Sequence, residues 1–317
     1  MIRYDTDHDK LQAAVAALEK PLKPGGRARR KAPWLVDAAA RTAAFKKAGY
    51  YNEAKGNWTP VKSVYFALQF NKCAYCERAL EAKKEMDIEH FRPKSALKDW
   101  PVPADLDKEG IKPVKVKPDP TGKYGYYLLP YHLLNYSMAC ARCNSDLKSN
   151  MFPIAGTHDL KGVDPVAMLK KEKPYLICPV GRWDDDPEDL IDFFGIVPMP
   201  KKKKGTMGYK RARITIAFFK LDDRNYRREL FRARAEAIVK IGITYELMLA
   251  KGTGAAMKAS CKRVIDSSAQ SVSQHAACCR AYIRMWKTIA TREKARTLFT
   301  DAQAFLDSMS PARPDPR

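Results

Sequence analysis

Two cysteine pairs constrain this chain more than any other feature. Cys73 and Cys76 stand in KCAYCE, and Cys140 and Cys143 stand in ACARCN. Each C-x-x-C lets two thiolates reach one ion from a tight turn, and two such turns complete a tetrahedral four-cysteine zinc site. The pairs are far apart in sequence, so a shared zinc staples two distant segments and holds whatever lies between them. A closed four-thiolate shell has no position for water, which makes such a zinc structural. The competing readings are four reduced core cysteines and a redox dithiol. The dithiol needs a βαβ context around one pair, and none is visible. Cys178, Cys261, Cys278 and Cys279 lack the spacing and are expected only to pack.

Between the pairs lies DIEHFRPKS, Asp87–Ser95, in a chain with only five histidines. IEHF reads as the end of a short strand that Pro93 stops. A carboxylate there, Glu89, suits Mg²⁺ (or Mn²⁺), which keeps several waters and takes substrate phosphate as a further ligand. His90 titrates near neutrality and suits a general base. A lone histidine would be read as structural; here its neighbours change the reading. Arg92 and Lys94 either contact flanking phosphates or form an ordinary solvated basic turn. Asp87, two residues before Glu89, either supports it from the same strand face or simply begins the strand. Asn144 follows the last cysteine of the staple and offers a carbonyl to the same metal, with Lys148 one helical turn later. The staple therefore gathers Glu89, His90 and Asn144 into a constellation for metal-assisted phosphodiester hydrolysis.

The charge agrees with such a substrate. Lys and Arg number 58 against 36 Asp and Glu, a net +22. Excess positive charge repels itself in a compact fold and favours a polyanionic partner through counterion release. Apolar runs such as Ile214–Phe219 are far too short to span a membrane. The N-terminus MIRYDTDHDK has no apolar core of a secretory signal, so a cytoplasmic location and no membrane partner are expected.

The 317 residues suggest about two domains. Helical patterns cover Leu11–Glu19, Trp34–Lys47 and Pro60–Phe70. The basic stretch Lys20–Lys31 suits a solvated or phosphate-facing segment. Residues from about 98 to 123 form a Pro-rich insertion, expected as an extended loop. Pro174–Val180 is a candidate short strand, and Asp184–Phe194 a capped helix start. Helix is expected from Tyr209 to about Ser308, with a disordered tail PARPDPR. The expected division is a helical lead-in over 1–60, a core over 61–155 and a mostly helical C-terminal domain over 156–317.

The pattern C-x-x-C, DIEHFRPK, N-x4-C-x-x-C-N resembles the HNH, or ββα-metal, endonuclease family. LLNYSMAC and CNSDLKSNMFPI are similar to its Septu-type (PtuB-like) branch, found in bacterial anti-phage defence operons. Lys31–Phe45 with VKSVYFALQFNKCAYCE resembles that branch's lead-in. PYLICPVGRWDDDPEDLIDFFGIV and ARITIAFFKLDDRNYRRELFRAR resemble its C-terminal half. Phe219 stands where the first leucine of an I-x-x-L-x-L run is expected. The resemblance covers most of residues 31–240.

It implies a mainly α fold with a small embedded ββα-metal (HNH) core stapled by the four-cysteine zinc. It implies a metal-dependent endonuclease, with DNA the favoured substrate and RNA or tRNA the second. By position, Glu89 is the acidic metal ligand, His90 the general base and Asn144 a ligand of catalytic Mg²⁺ (or Mn²⁺). Asn135 orients the loop and the base. Lys148, grouped with Arg92 and Lys94 as a phosphate contact, falls four residues after Asn144 where many members have three. The resemblance further implies an ATPase encoded in the same operon, with residues 156–317 as the docking region. The alternative is a non-catalytic zinc-stapled nucleic-acid-binding or scaffold protein, in which the catalytic positions drift; the presence of Glu89, His90 and Asn144 argues against it.

Overall fold

A computed structural model of the chain describes residues 1–18, 33–80 and 87–309. The basic stretch Lys20–Lys31 and the tail PARPDPR lie outside these residues. The fold is mainly helical. At its N-terminal end, α1 (His8–Ala17) starts where the Asp7 carboxylate accepts the Lys10 N–H at 2.8 Å, and it buries Leu11 and Val15 one turn apart. Helix α2 (Trp34–Ala48) buries Trp34, Ala38 and Phe45, and closes on Gly49 at φ 81°. Helix α3 (Lys62–Leu68) then delivers the chain into the first cysteine turn.

The centre of the molecule is small. Strand β1 (Asp87–His90) pairs antiparallel with β2 (Tyr136–Ala139), setting Glu89 opposite Ser137 and His90 opposite Tyr136. Apart from Asp87, both strands are buried on both faces. The chain leaves β2 through Cys140 into a wide, π-helical segment, Arg142–Lys148. Gln69 locks this centre to the first cysteine turn. Its amide oxygen accepts the Met138 N–H at 2.7 Å, and its amide nitrogen donates to the Lys72 and Met138 carbonyls.

Between β1 and β2 the Pro-rich stretch is extended, as its composition suggests, apart from the short α4 (Ala104–Lys108). The Pro174–Val180 segment forms no strand, only single bridges from Ile154 to Pro174 and from Tyr4 to Val180. Its prolines lack the N–H a ladder needs. After the short α5 (Leu169–Glu172), Asp186 caps an equally short α6 (Pro187–Leu190). The chain then turns into a hairpin instead of continuing as helix. Strand β3 (Ile191–Phe194) pairs with β4 (Val197–Pro200), and Gly195 takes φ 58° at the turn between them.

Five helices complete the fold: α7 (Met207–Phe218), α8 (Arg228–Leu249), α9 (Ala255–Ala269), α10 (Ala276–Lys287) and α11 (Ile289–Met309). Helix α8 buries Leu230, Phe231, Arg234, Ala235, Ile238, Ile241 and Tyr245, a stripe at helical period that packs on α9 and α11. Tyr245 stacks on Trp286 of α10 at 5.0 Å. No helix among the described residues is long and apolar enough to cross a membrane.

Candidate metal and catalytic centre

The four cysteines of the two pairs meet. Their Sγ atoms all lie within 4.8 Å of one another and all four are buried. Cys76 Sγ and Cys140 Sγ are 3.9 Å apart. A tetrahedral zinc with Zn–S bonds of about 2.3 Å spaces its sulfurs about 3.8 Å apart, so this donor set fits the ion. Burial pushes the Cys73 and Cys143 thiols well above their ordinary range. Only a cation among them makes four thiolates tolerable in such a site.

Local backbone explains how the first pair turns. Glu77 N–H donates to the Cys73 carbonyl and Cys73 N–H to that of Arg78, both at 3.0 Å. Glu77 itself sits at φ 61°, a conformation costly for a glutamate. Its carboxylate is paid back by three partners: the Met1 ammonium at 2.5 Å, Lys72 Nζ at 4.0 Å and the Ala277 N–H at 3.4 Å. Lys72 Nζ also donates to the carbonyls of Ser271 and Ser273. The cysteine turn is thus tied to the α9–α10 connection. Phe219, the departure from the leucine pattern, stacks on Tyr75 inside the C-x-x-C at a centroid distance of 4.0 Å.

One residue that sequence reasoning missed completes the staple. Arg227, buried at the start of α8, donates from Nη2 to Cys143 Sγ at 3.0 Å and to the Phe219 carbonyl at 2.8 Å. It lies in an arginine-rich run, and nothing local distinguishes it from its neighbours.

The strand pair also carries Glu89 and His90, with Tyr75 of the first cysteine turn donating to Glu89 Oε1 at 3.5 Å. His90 Nε2 lies 3.1 Å from the Pro130 carbonyl. A carbonyl oxygen only accepts, so Nε2 carries the proton and Nδ1 is the nitrogen with a free lone pair. Tyr136 Oη donates to the same carbonyl, and the rings of Trp58 and Tyr136 stand edge-on to His90 at 4.9 and 5.1 Å. Burial, with the nearby Lys94 charge, holds His90 well below its ordinary value, so the ring is neutral at pH 7. Asn135 is also buried. Its Oδ1 accepts the Arg92 N–H at 2.8 Å, and its Nδ2 donates to the carbonyls of Arg92 and Leu129 at 3.1 Å. These bonds join the end of β1 to the loop that carries Pro130.

Glu89 is buried, and burial raises its carboxyl above the ordinary value. Lys148 Nζ approaches its Oε1 at 2.7 Å and donates to the His90 carbonyl at 2.8 Å. Asn144 lies half-buried on the same helical segment as Lys148. The Lys148 ammonium therefore offsets the Glu89 charge in this structure.

Two of the expected phosphate contacts are placed otherwise. Arg92 is fully buried, with Nε 2.7 Å from Glu172 and its guanidinium among the rings of Phe91, Phe152 and Trp183. It faces the core because its partner carboxylate is there. Lys148 is fully buried on Glu89 and presents no free ammonium to solvent. Lys94 is half-buried and lies over the rings of Trp58 and Tyr51 at 5.0 and 5.6 Å, beside His90. Asp87 begins β1, exposed, with its carboxylate 3.6 Å from Lys62 Nζ.

The chain is similar to the Septu protein PtuB of Bacillus mycoides (strain KBAB4), with 28% identity over 203 residues. That match covers 63% of this chain and spans 58% of the relative's length. No family model matches the chain, and no solved structure matches it.

Proposed function

We propose that this chain is a metal-dependent HNH endonuclease that hydrolyses nucleic-acid phosphodiester bonds in anti-phage defence. The observation that carries the reading is the setting of His90. Its Nε2 is tied to the Pro130 carbonyl, which leaves the lone pair on Nδ1, and burial keeps its ring neutral, on a strand pair followed by a helical segment. The antiparallel pair and the segment Arg142–Lys148 support a ββα-metal core. The similarity to a Septu protein supports the defence role.

In this reading His90 Nδ1 takes a proton from the attacking water as it approaches phosphorus. The Pro130 carbonyl and the Asn135 bonds hold the ring so that this nitrogen faces the substrate. Glu89 and Asn144 would hold Mg²⁺ or Mn²⁺, which when bound would supply charge stabilisation for the phosphate and the leaving oxygen. Lys148 holds Glu89 and the His90 carbonyl in place rather than meeting the phosphate. The zinc is structural, and Cys73, Cys76, Cys140 and Cys143 hold it. DNA is the first substrate, with RNA or tRNA second. A partner ATPase docks on the C-terminal helices and governs activity.

The test is incubation of supercoiled plasmid and of bulk tRNA with the zinc-loaded protein, alone and with the ATPase encoded beside it. Cleavage that requires added Mg²⁺ or Mn²⁺ supports the reading. Nucleic-acid binding with no cleavage under any of these conditions points to a scaffold instead.

A further inference from the structure

The half-buried face beside His90 is unusually rich in rings and lysines. Trp58 contacts His90 edge-on, and Lys94 Nζ lies over Trp58 and Tyr51. Tyr50, next in chain, carries Lys123 Nζ over its ring at 4.2 Å. The segment bearing Lys123 and Tyr124 is tied to the one bearing Lys94. Leu97 N–H donates to the Tyr124 carbonyl and Tyr126 N–H to that of Pro93, both at 2.9 Å. Gly125 makes this approach feasible, because a Cβ there would come within 2.4 Å of the Ser95 backbone. Gly56 does the same for Trp58, whose ring folds back over it; a Cβ would overlap the ring at 1.8 Å. Tyr124 is 51% exposed, and Tyr50, Tyr51 and Trp58 are half-buried. Three separate segments thus place aromatic faces and ammonium groups on one surface that ends at the candidate base.

Tyr51 and Trp58 pack one side against the core and keep the other part-exposed, and lysines used only for solubility would point into water. Here the ammonium groups sit on the rings. Rings that accept bases, interleaved with cations that accept phosphates, are the composition of a single-strand track. A duplex offers no free base face to such a surface, because its bases are stacked inside. From this juxtaposition we propose that Tyr50, Tyr51, Trp58 and Tyr124, with Lys94 and Lys123, form a stacking platform for unpaired nucleotides flanking the cut phosphate. The substrate class is then single-stranded or looped nucleic acid rather than intact duplex. This rests on the endonuclease reading for the position of the cut, but not for the binding itself.

The experiment is fluorescence anisotropy with the full, zinc-loaded chain in calcium buffer lacking Mg²⁺ and Mn²⁺. The probes are labelled oligo-dT and oligo-rU of about twelve nucleotides and a mixed-sequence duplex of equal phosphate count. The expected result is that both single strands bind about tenfold more tightly than the duplex at matched salt. Tyr124→Ala and Tyr50→Ala should each weaken single-strand binding by about tenfold and leave duplex binding unchanged, while the Tyr→Phe versions restore it. Lys123→Ala should lower the salt slope instead, by roughly one. Equal or tighter binding of duplex overturns the proposal, as does indifference of single-strand binding to both alanine variants. A chain that selects single strands but cuts nothing keeps the platform and loses the endonuclease. A chain that cuts duplex with no single-strand preference does the reverse.

Discussion

Arg227→Met removes a guanidinium that touches the staple. A zinc ion with four thiolates has a formal charge of about −2 in a buried site. Arg227 is 4% exposed and donates to Cys143 Sγ at 3.0 Å, so it offsets part of that charge at the ligand itself. Losing a partner of this kind typically lowers metal affinity by about 10–100-fold, which is about 1.4–2.8 kcal/mol. The same change strips the Phe219 carbonyl of two donors, Nε at 3.1 Å and Nη2 at 2.8 Å. That adds roughly 1–3 kcal/mol of folding cost. The assay is zinc transfer to a chromophoric chelator at equilibrium, with circular dichroism confirming the fold. Wild type should hold one zinc per chain, and Arg227→Met should release it at about 10–100-fold lower chelator strength. Arg227→Lys should fall between them, because it keeps charge but not the fork that serves both acceptors. Equal zinc affinity in wild type and a well-folded Arg227→Met would refute the reasoning.

Three further outcomes follow from the geometry. Glu172→Ala leaves Arg92 as an unpaired buried charge, costing about 3–5 kcal/mol. By calorimetric scaling for a chain of 317 residues, that lowers Tm by roughly 5–8 °C, read by thermal melting. Asn135→Ala orphans the Arg92 N–H and frees the loop that carries Pro130, so cleavage should fall at least about tenfold at unchanged zinc content. Asn135→Asp, which keeps the acceptor and loses the donors, should lie between. His275 is buried, and burial together with the Arg234 charge pulls it down to about 3. The unfolded chain binds this proton near pH 6.5. Stability from this group is therefore full above about pH 6.5 and is lost as pH falls toward 3, on the order of 2 kcal/mol between pH 7 and 5. His275→Asn, which tolerates the φ of 54°, should flatten that part of the denaturation profile.

What was legible in the sequence was what local spacing determines. Each C-x-x-C turn was legible because its own backbone sets its two thiolates, and the meeting of Cys73, Cys76, Cys140 and Cys143 followed from one zinc's need for four ligands. Helices with an apolar stripe, such as α8, were readable for the same reason. Pairings across the chain were not. Arg92 beside His90 looked like a phosphate contact, but its partner Glu172 lies 80 residues away. Lys148 likewise pairs with Glu89 across the strand pair. The β3–β4 hairpin was hidden by the acidic cap at Asp186, a true helix start that yields after one turn to a β-prone run and Gly195. Arg227 and the Pro130 carbonyl carried no signal, since one is an ordinary arginine and the other a backbone atom.

The most direct test of the central claim compares single-turnover cleavage by wild type and His90→Ala, each carrying the same zinc and the same Mg²⁺. Removal of a general base typically costs about 10²–10⁴-fold in rate. A loss of that size, with zinc content and nucleic-acid affinity unchanged, is what the account predicts. Equal cleavage by both proteins would contradict it.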